Sequence, residues 1–272
     1  MAQGPYRGKL LTELIEAFPK ELLGQEVIRR FGTEFPILIK FIDAQKDLSI
    51  QLHPGDELAR KRHNSFGKTE MWYIMEAEPG AELIIGFNRD TGREEYQQAL
   101  EAGRLTELLN YEPVKEGDTF FINCGKIHAI GGGILLAEIQ QSSDVTYRVY
   151  DFDRRDAEGN LRKLHTELAL DAIDFNKRED FRVGYHKDMN TENPMVNSPY
   201  FTTSFWDLNS PQVRRYEDFE SFKAYVCVGG AAQFTLGGQT VSCERGETVL
   251  IPAVARELSI VTTDCQLLEV KI

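Results

Sequence analysis

From Phe201 to the C-terminus the chain is a succession of short strand-like runs broken by glycine-rich turns: FTTSFWDL, FKAYVCVGG, AAQFTLGG, QTVSCERGETVLIPA, RELSIVTTD and CQLLEVKI. Runs this short and this closely spaced suggest a β-sandwich or a small barrel. The same texture appears earlier, in FPILIKFI (Phe35 to Ile42), LSIQLH (Leu48 to His53), MWYIM (Met71 to Met75) and AELIIGF (Ala81 to Phe87). The last two flank Glu78-Pro79-Gly80 and read as a hairpin. Strand text returns in Val114 to Ile122, Gly133 to Gln140 and Val145 to Val149. Two windows, GDTFFINCGKIHAI (Gly117 to Ile130) and GETVLIPAVARELSI (Gly246 to Ile260), share one pattern of Gly, acid, Thr, apolar run, turn and second strand. They look like one β unit used twice. Aligned on the glycine, Asn123 meets Pro252, Gly125 meets Val254 and His128 meets Glu257.

Helical periodicity is confined to a few places. Leu10 to Leu23 has it, with Pro19 as a break or second start. Arg93 to Asn110 is the clearest helix, and a short one is expected around Glu167 to Ile173, after the polar stretch DFDRRDAEGNLRKLH.

Composition narrows the function classes. With 42% apolar and 27% charged residues the chain is an ordinary globular protein. Its 272 residues suffice for one large or two moderate domains. No apolar run approaches the ~20 residues that span a bilayer. The N-terminus has no apolar core of a secretory signal. A net charge of −12 argues against nucleic acid and against anionic membranes as partners. An anionic small substrate would need a local basic pocket. Cys124, Cys227, Cys243 and Cys265 form no C-x-x-C pair, and the expected compartment is the reducing cytoplasm.

The stretch SIQLHPGDELARKRHNSFGKTEMWYI raises the chemical question. On a strand, Ser49, Gln51 and His53 share a face, because side chains alternate with period two. Glu70 opens the next strand, and His128 follows the first Gly-turn window. Two imidazoles, a carboxylate and an amide oxygen converging on a β framework suit a divalent first-row metal. Each member also has a plainer reading. His53 could cap the Pro-Gly turn, Glu70 could pair with Lys68 or Arg62, and His128 could be a hydrogen-bonded core histidine. Only taken jointly do they point to metal. His63, His165 and His186 lie in polar text and read as solvated, although His63 ends the basic run Arg60-Lys61-Arg62-His63. A second cluster runs from Glu138 to Tyr150. There Glu138 and Gln140 share a face, as do Asp144, Thr146 and Arg148. Asp144 and Arg148 could be a structural ion pair, or a proton-transfer carboxylate beside an arginine for substrate oxygens.

The runs QLHPGDELA…GKTEMWYI, GDTFFINCGKIHAI and EIQQSSDVTYRVYDFDR resemble the type I mannose-6-phosphate isomerases, zinc enzymes of the cupin superfamily, in their short bacterial form. The resemblance covers the chain from about Gly4 onward and is most specific between Ser49 and Arg154. It implies a mainly β fold of two cupin barrels with a few helices. Residues 1–160 would hold an N-terminal helix, a zinc barrel and a helical insertion at about 93–110. Residues 161–272 would hold a linker helix and a second barrel. Gln51, His53, Glu70 and His128 match the family's zinc ligands, one Zn2+ per chain. Arg148 matches its active-site arginine and Lys68 a lysine near the substrate. Ser49 and Arg154 fall where it places phosphate contacts. The first Gly window resembles the cupin motif G-x5-P-x-G-x2-H with Asn123 in the proline place. In the second window Val254 and Glu257 replace Gly and His, so no zinc is expected there. One departure is the start: fuller members carry a Trp-Gly-Gly stretch before the first helix, whereas the tryptophans here are Trp72 and Trp206.

The implied reaction interconverts mannose 6-phosphate and fructose 6-phosphate through an enediol. Glu138, Lys68 and Asp144 are the candidates for proton transfer, and Glu138 is favoured because a carboxylate is the natural base at neutral pH. The partner is a small phosphosugar, with a homodimer as a possible assembly. Two rivals remain: a non-haem iron oxygenase or other cupin metalloenzyme, and a sugar-phosphate-binding cupin without turnover.

Overall fold

The computed structural model describes residues 1–217 and 220–272. The chain divides into two compact units, one of Ile37–Val183 and one of Met1–Pro36 with Gly184–Ile272.

In the unit Ile37–Val183, β1 (Ile37–Ala44), β8 (Ile134–Gln141), β3 (Glu70–Ala77) and β6 (Thr119–Ile122) form a sheet in that order. A five-stranded sheet runs β5 (Leu109–Pro113), β4 (Glu82–Phe87), β7 (His128–Ile130), β2 (Ile50–Leu52) and β9 (Tyr147–Tyr150). Trp72, Ile74, Phe120 and Leu136 of the first sheet pack against Leu83, Ile85 and Ile130 of the second. The outer face of the five-stranded sheet, with Ile50, Leu52, Ala129, Tyr147 and Val149, is covered by Tyr96, Leu105, Leu108 and Leu170. That double coverage explains the near-continuous apolar text of these strands.

The inner face changes character along its length. In β3, Glu70, Trp72 and Ile74 share it by period two. Ile74 pairs with Leu136, Trp72 with Glu138 and Glu70 with Gln140. One end of the sandwich interior is therefore apolar and the other is polar, yet both are buried.

In the other unit, α1 (Leu11–Ala17), α2 (Pro19–Leu23) and α3 (Gln25–Phe31) precede the strands. Pro19 occupies the first turn of α2, where its missing N–H costs no hydrogen bond. A seven-stranded sheet has the path β10 (Asn193–Asn197), β11 (Thr202–Leu208), β16 (Glu257–Lys271), β13 (Lys223–Leu236) and β14 (Gln239–Glu244). Off that path, β12 (Gln212–Arg215) pairs with β16 and β15 (Thr248–Ile251) with β13.

The repeated windows occupy matching registers. Thr119 and Ile122 of β6 pair with Tyr73 and Glu70 of β3. Thr248 and Ile251 of β15 pair with Val226 and Lys223 of β13. The second copy thus has the buried Lys223 where the first has Glu70, an ammonium in place of a carboxylate.

Several expectations are corrected. The strands form three open sheets rather than two closed barrels; among the described residues no sheet closes on itself. The N-terminal helices group with the C-terminal strands, not with residues up to 160, because backbone bonds tie Glu26 to Glu220, Leu23 to Phe222 and Leu22 to Ala253. The boundary falls after Val183 rather than at 160. β3 and β4 are not a hairpin. The Glu78-Pro79-Gly80 turn carries the chain from one sheet to the other, so Ile74 and Leu83 join one core cluster from different sheets. The helix beginning at Arg93, α5 (Arg93–Glu101), stops short of Asn110. Gly103 takes a positive φ of 67°, a 3-10 turn follows, and Leu109 is already in β5. The basic run Arg60-Lys61-Arg62-His63 is the last turn of α4 (Asp56–His63), where cations suit the helix dipole. The helix expected at Glu167 to Ile173 is the short α6 (Thr166–Ala169). Among the described residues no helix is long and apolar enough to cross a membrane.

Candidate metal centre

His53, Glu70 and His128 meet at the polar end of the sandwich, all fully buried, with potential ligand atoms within 4.8 Å of one another. The imidazole centroids are 4.9 Å apart. His53 Nε2 lies 3.6 Å from Glu70 Oε2 and His128 Nε2 lies 3.4 Å from Glu70 Oε1.

The tautomers follow from the second nitrogens. His53 Nδ1 is 2.9 Å from the carbonyl of Val145, and His128 Nδ1 is 2.8 Å from the carbonyl of Lys126. A carbonyl only accepts, so both Nδ1 atoms carry the proton and both Nε2 atoms present lone pairs. Such carbonyl partners are the usual way a ligating histidine is oriented. Burial, with Lys68 nearby, holds the His53 imidazole well below its usual range, and burial pushes His128 down to about 4. Both rings are neutral, as ligands must be.

Glu70 Oε1 and His128 Nε2 have no hydrogen-bond partner, although both are buried, and Glu70 Oε2 has only the Lys68 ammonium at 3.1 Å. Each such acceptor costs about 1–3 kcal/mol. Lone pairs facing one another at 3.4 to 3.6 Å are the donor set of a cation seat. Burial, reinforced by the charge of Glu138, pushes the Glu70 carboxyl up to about 8; a cation among these atoms would reverse that. The residues fit a divalent first-row metal.

Local folding places each group. Gln51, in β2, pairs directly with His128 of β7 on one side and Arg148 of β9 on the other, so all three share the inner face. Gly125 has φ 82°, and its N–H donates to the carbonyl of His53 at 2.8 Å. A Cβ there would lie 2.5 Å from the carbonyl oxygen of Ala172. Only glycine fits this turn, which joins the two histidine segments. Asp56, at the start of α4, accepts the Gly67 N–H at 2.7 Å and the Gln141 amide at 3.0 Å, which fixes the approach to β3.

Lys68 Nζ donates to His53 Nε2 at 3.2 Å and lies 3.1 Å from Glu70 Oε2 and 4.0 Å from Glu138 Oε1. Burial works against its charge, but the two carboxylates outweigh it and raise the pKa. Glu138 receives the Trp72 indole N–H at 3.1 Å and the Lys40 ammonium at 2.9 Å. Burial would raise its pKa; Lys68 and Lys40 more than offset this and hold it below the usual range. Glu138 is therefore an anion.

Arg148 does not pair with Asp144. Its Nε donates to Ser49 Oγ at 3.1 Å and its Nη1 to the carbonyl of Lys163 at 3.2 Å. Arg154 binds Asp151 and the carbonyl of Asp47. Asp144 is exposed and lines a cavity of about 540 Å³ with His63, Ser143 and Tyr147. That cavity is also lined by Val145, whose carbonyl holds His53. Two of the histidines read as solvated are bonded: His63 Nε2 to the Tyr147 hydroxyl and His165 Nδ1 to the Arg148 backbone N–H. Sequence reasoning missed Lys40, which also donates to Gln140. Its signal was present, since Lys40 is the one charge inside FPILIKFI.

Residues 2–88 match the family model of the phosphomannose isomerase type I catalytic domain, and residues 191–272 that of the mannose-6-phosphate isomerase cupin domain. The chain is 36% identical over 252 residues to mannose-6-phosphate isomerase ManA of Bacillus subtilis, covering 92% of this chain and 78% of that protein. It is 36% identical over 250 residues to the mannose-6-phosphate isomerase of Streptococcus mutans, covering 92% and 77%. The crystal structure of the mannose 6-phosphate isomerase from Bacillus subtilis superposes with a TM-score of 0.87 at 32% identity, over 100% of this chain and 84% of the other. The chain is an enzyme of the type I phosphomannose isomerase family.

Proposed function

We propose that the chain interconverts mannose 6-phosphate and fructose 6-phosphate through an enediol, with one Zn2+ bound per chain. The observation that carries the metal is the convergence of His53 Nε2, the Glu70 carboxylate and His128 Nε2, with Glu70 Oε1 and His128 Nε2 buried and unpartnered. The relatives' names support the substrate.

His53, Glu70 and His128 would hold the zinc, with Gln51 as the fourth ligand on the shared face. Bound zinc supplies an electrophile that polarises the sugar carbonyl and stabilises the charge developed when a neighbouring C–H ionises. The remaining work falls to the chain. Glu138 Oε1, ionised and facing Lys68, takes and returns the proton. Lys68 steadies substrate oxygens with its ammonium. Lys40 and Trp72 keep the Glu138 carboxylate aimed into the interior. Arg148, Arg154 and Ser49 take the phosphate, whose binding energy is remote from the reacting carbons. Asp144, exposed and outside the cluster, is left with an accessory place at the cavity wall.

The test is a coupled isomerase assay on zinc-replete protein beside His128→Ala. Loss of zinc and activity together is expected. Full activity in the variant refutes the site, and oxygen uptake in place of isomerisation refutes the reaction.

A further inference from the structure

The segment after β9 was read from sequence only as a polar stretch. It is a short hairpin closed by an antiparallel bridge between Arg155 and Leu161, with Asp156 N–H donating to the Asn160 carbonyl at 2.9 Å. The Asp156 carboxylate is spent within it, accepting the backbone N–H groups of Glu158 and Asn160. Arg154 and Arg162 flank the bridged pair in the chain. Both reach the buried Asp151: Arg154 as a direct hydrogen bond, Arg162 Nη1 at 3.7 Å from the same oxygen. Arg148 joins them, its Nη1 held by the carbonyl of Lys163, next in the chain after Arg162. Two guanidiniums therefore meet one buried carboxylate, and the charge of a third acts on the same group, in a protein of net charge −12. Burial and the like charges of Arg162 and Arg154 depress the Arg148 pKa, and Asp151 offsets them only in part.

We infer that Arg162 is a phosphate-binding residue, and that the Arg155–Leu161 hairpin exists to set it beside Arg154 and Arg148 as one seat for the phosphate end of the substrate. This rests on the isomerase reading above. A tetrahedral dianion offers enough oxygens for three guanidinium forks and relieves their mutual repulsion. Ser49 Oγ accepts from Arg148 Nε, so its own proton is free to donate to an oxyanion. Arg148 and His128 flank Gln51 on adjacent strands, so their backbones are roughly 10 Å apart. That span is of the order of an extended six-carbon sugar phosphate, with its carbonyl end at the histidines.

The test compares wild type, Arg162→Gln and Arg162→Lys, all zinc-replete. The readouts are kcat and KM for mannose 6-phosphate and the binding of inorganic phosphate by calorimetry. Arg162→Gln should raise KM and weaken phosphate binding by about tenfold each, with kcat within about twofold. Arg162→Lys should recover much of the loss, and the difference should shrink at high salt. The side chain is half exposed, so a thermal melt should be unchanged. Equal KM and equal phosphate affinity in wild type and Arg162→Gln overturn the inference. If the wild type fails to isomerise mannose 6-phosphate, the activity reading falls, and the phosphate titration still decides the role of Arg162.

Discussion

Gly125→Ala tests whether the turn between the histidine segments positions the metal centre. The backbone there has φ 82°, which costs an L residue about 1–2 kcal/mol. The new Cβ would also meet the Ala172 carbonyl oxygen at 2.5 Å. Backbone must move to relieve that contact, as in overpacked cores, at a further ~1–3 kcal/mol. The two effects together give roughly 2–5 kcal/mol. For a chain of this size that is a fall of roughly 5–15 °C in the unfolding transition of the unit Ile37–Val183. The movement acts on two bonds, from Gly125 N–H to the His53 carbonyl and from Asp174 N–H to the Gly125 carbonyl, at 2.8 and 2.9 Å. His53 and His128 shift with them, so zinc affinity should fall about 10- to 100-fold, as when a ligand's supporting partner is lost. Differential scanning calorimetry and competitive zinc titration measure both. An alanine variant with wild-type melting and wild-type zinc affinity would refute the reasoning.

Other expectations concern the groups around the centre. Lys40→Met removes one of the two ammoniums that hold Glu138 below the usual carboxylate range, so the acid limb of the kcat/KM profile should move to higher pH. The sign follows because Glu138 is active as the anion and a lost cation raises its pKa; an unmoved limb argues against Glu138 as the base. Asp56→Ala leaves the Gly67 N–H and the Gln141 amide without their acceptor and should cost about 1–3 kcal/mol in thermal unfolding. Of the four free thiols, Cys227, Cys243 and Cys265 are buried and Cys124 is half-buried. A thiol reagent should therefore modify Cys124 first, and fast reaction of all four in the native protein would contradict the packing.

The cluster of His53, Glu70 and His128 was partly legible from strand arithmetic: register sets Gln51 beside His128, and His53 follows directly on the end of β2. The repeat was legible for the same reason: GDTFFI and GETVLI pair with their neighbours in matching registers. Choice of partner was harder. The turn at Pro79-Gly80 reads alike whether it closes a hairpin or switches sheets, and only the placement of β3 and β4 in different sheets decides. The N-terminal helices are amphipathic in any setting; their backbone bonds to Glu220, Phe222 and Ala253 are long-range and leave no local signature. Helix propensity in Arg93 to Asn110 yielded to Gly103 and to the burial of Leu108 and Leu109. The role of Lys40 depends on β8 lying beside β1, which sets Lys40 opposite Glu138 and which composition does not show.

The account depends on the buried carboxylate at Glu70 being the partner of a cation. Elemental analysis of purified wild type and Glu70→Gln, after exposure to zinc and removal of excess, tests this most directly. The expected result is one equivalent of zinc per wild-type chain and almost none in the variant, with both proteins folded. A Glu70→Gln protein that keeps a full equivalent would contradict the account.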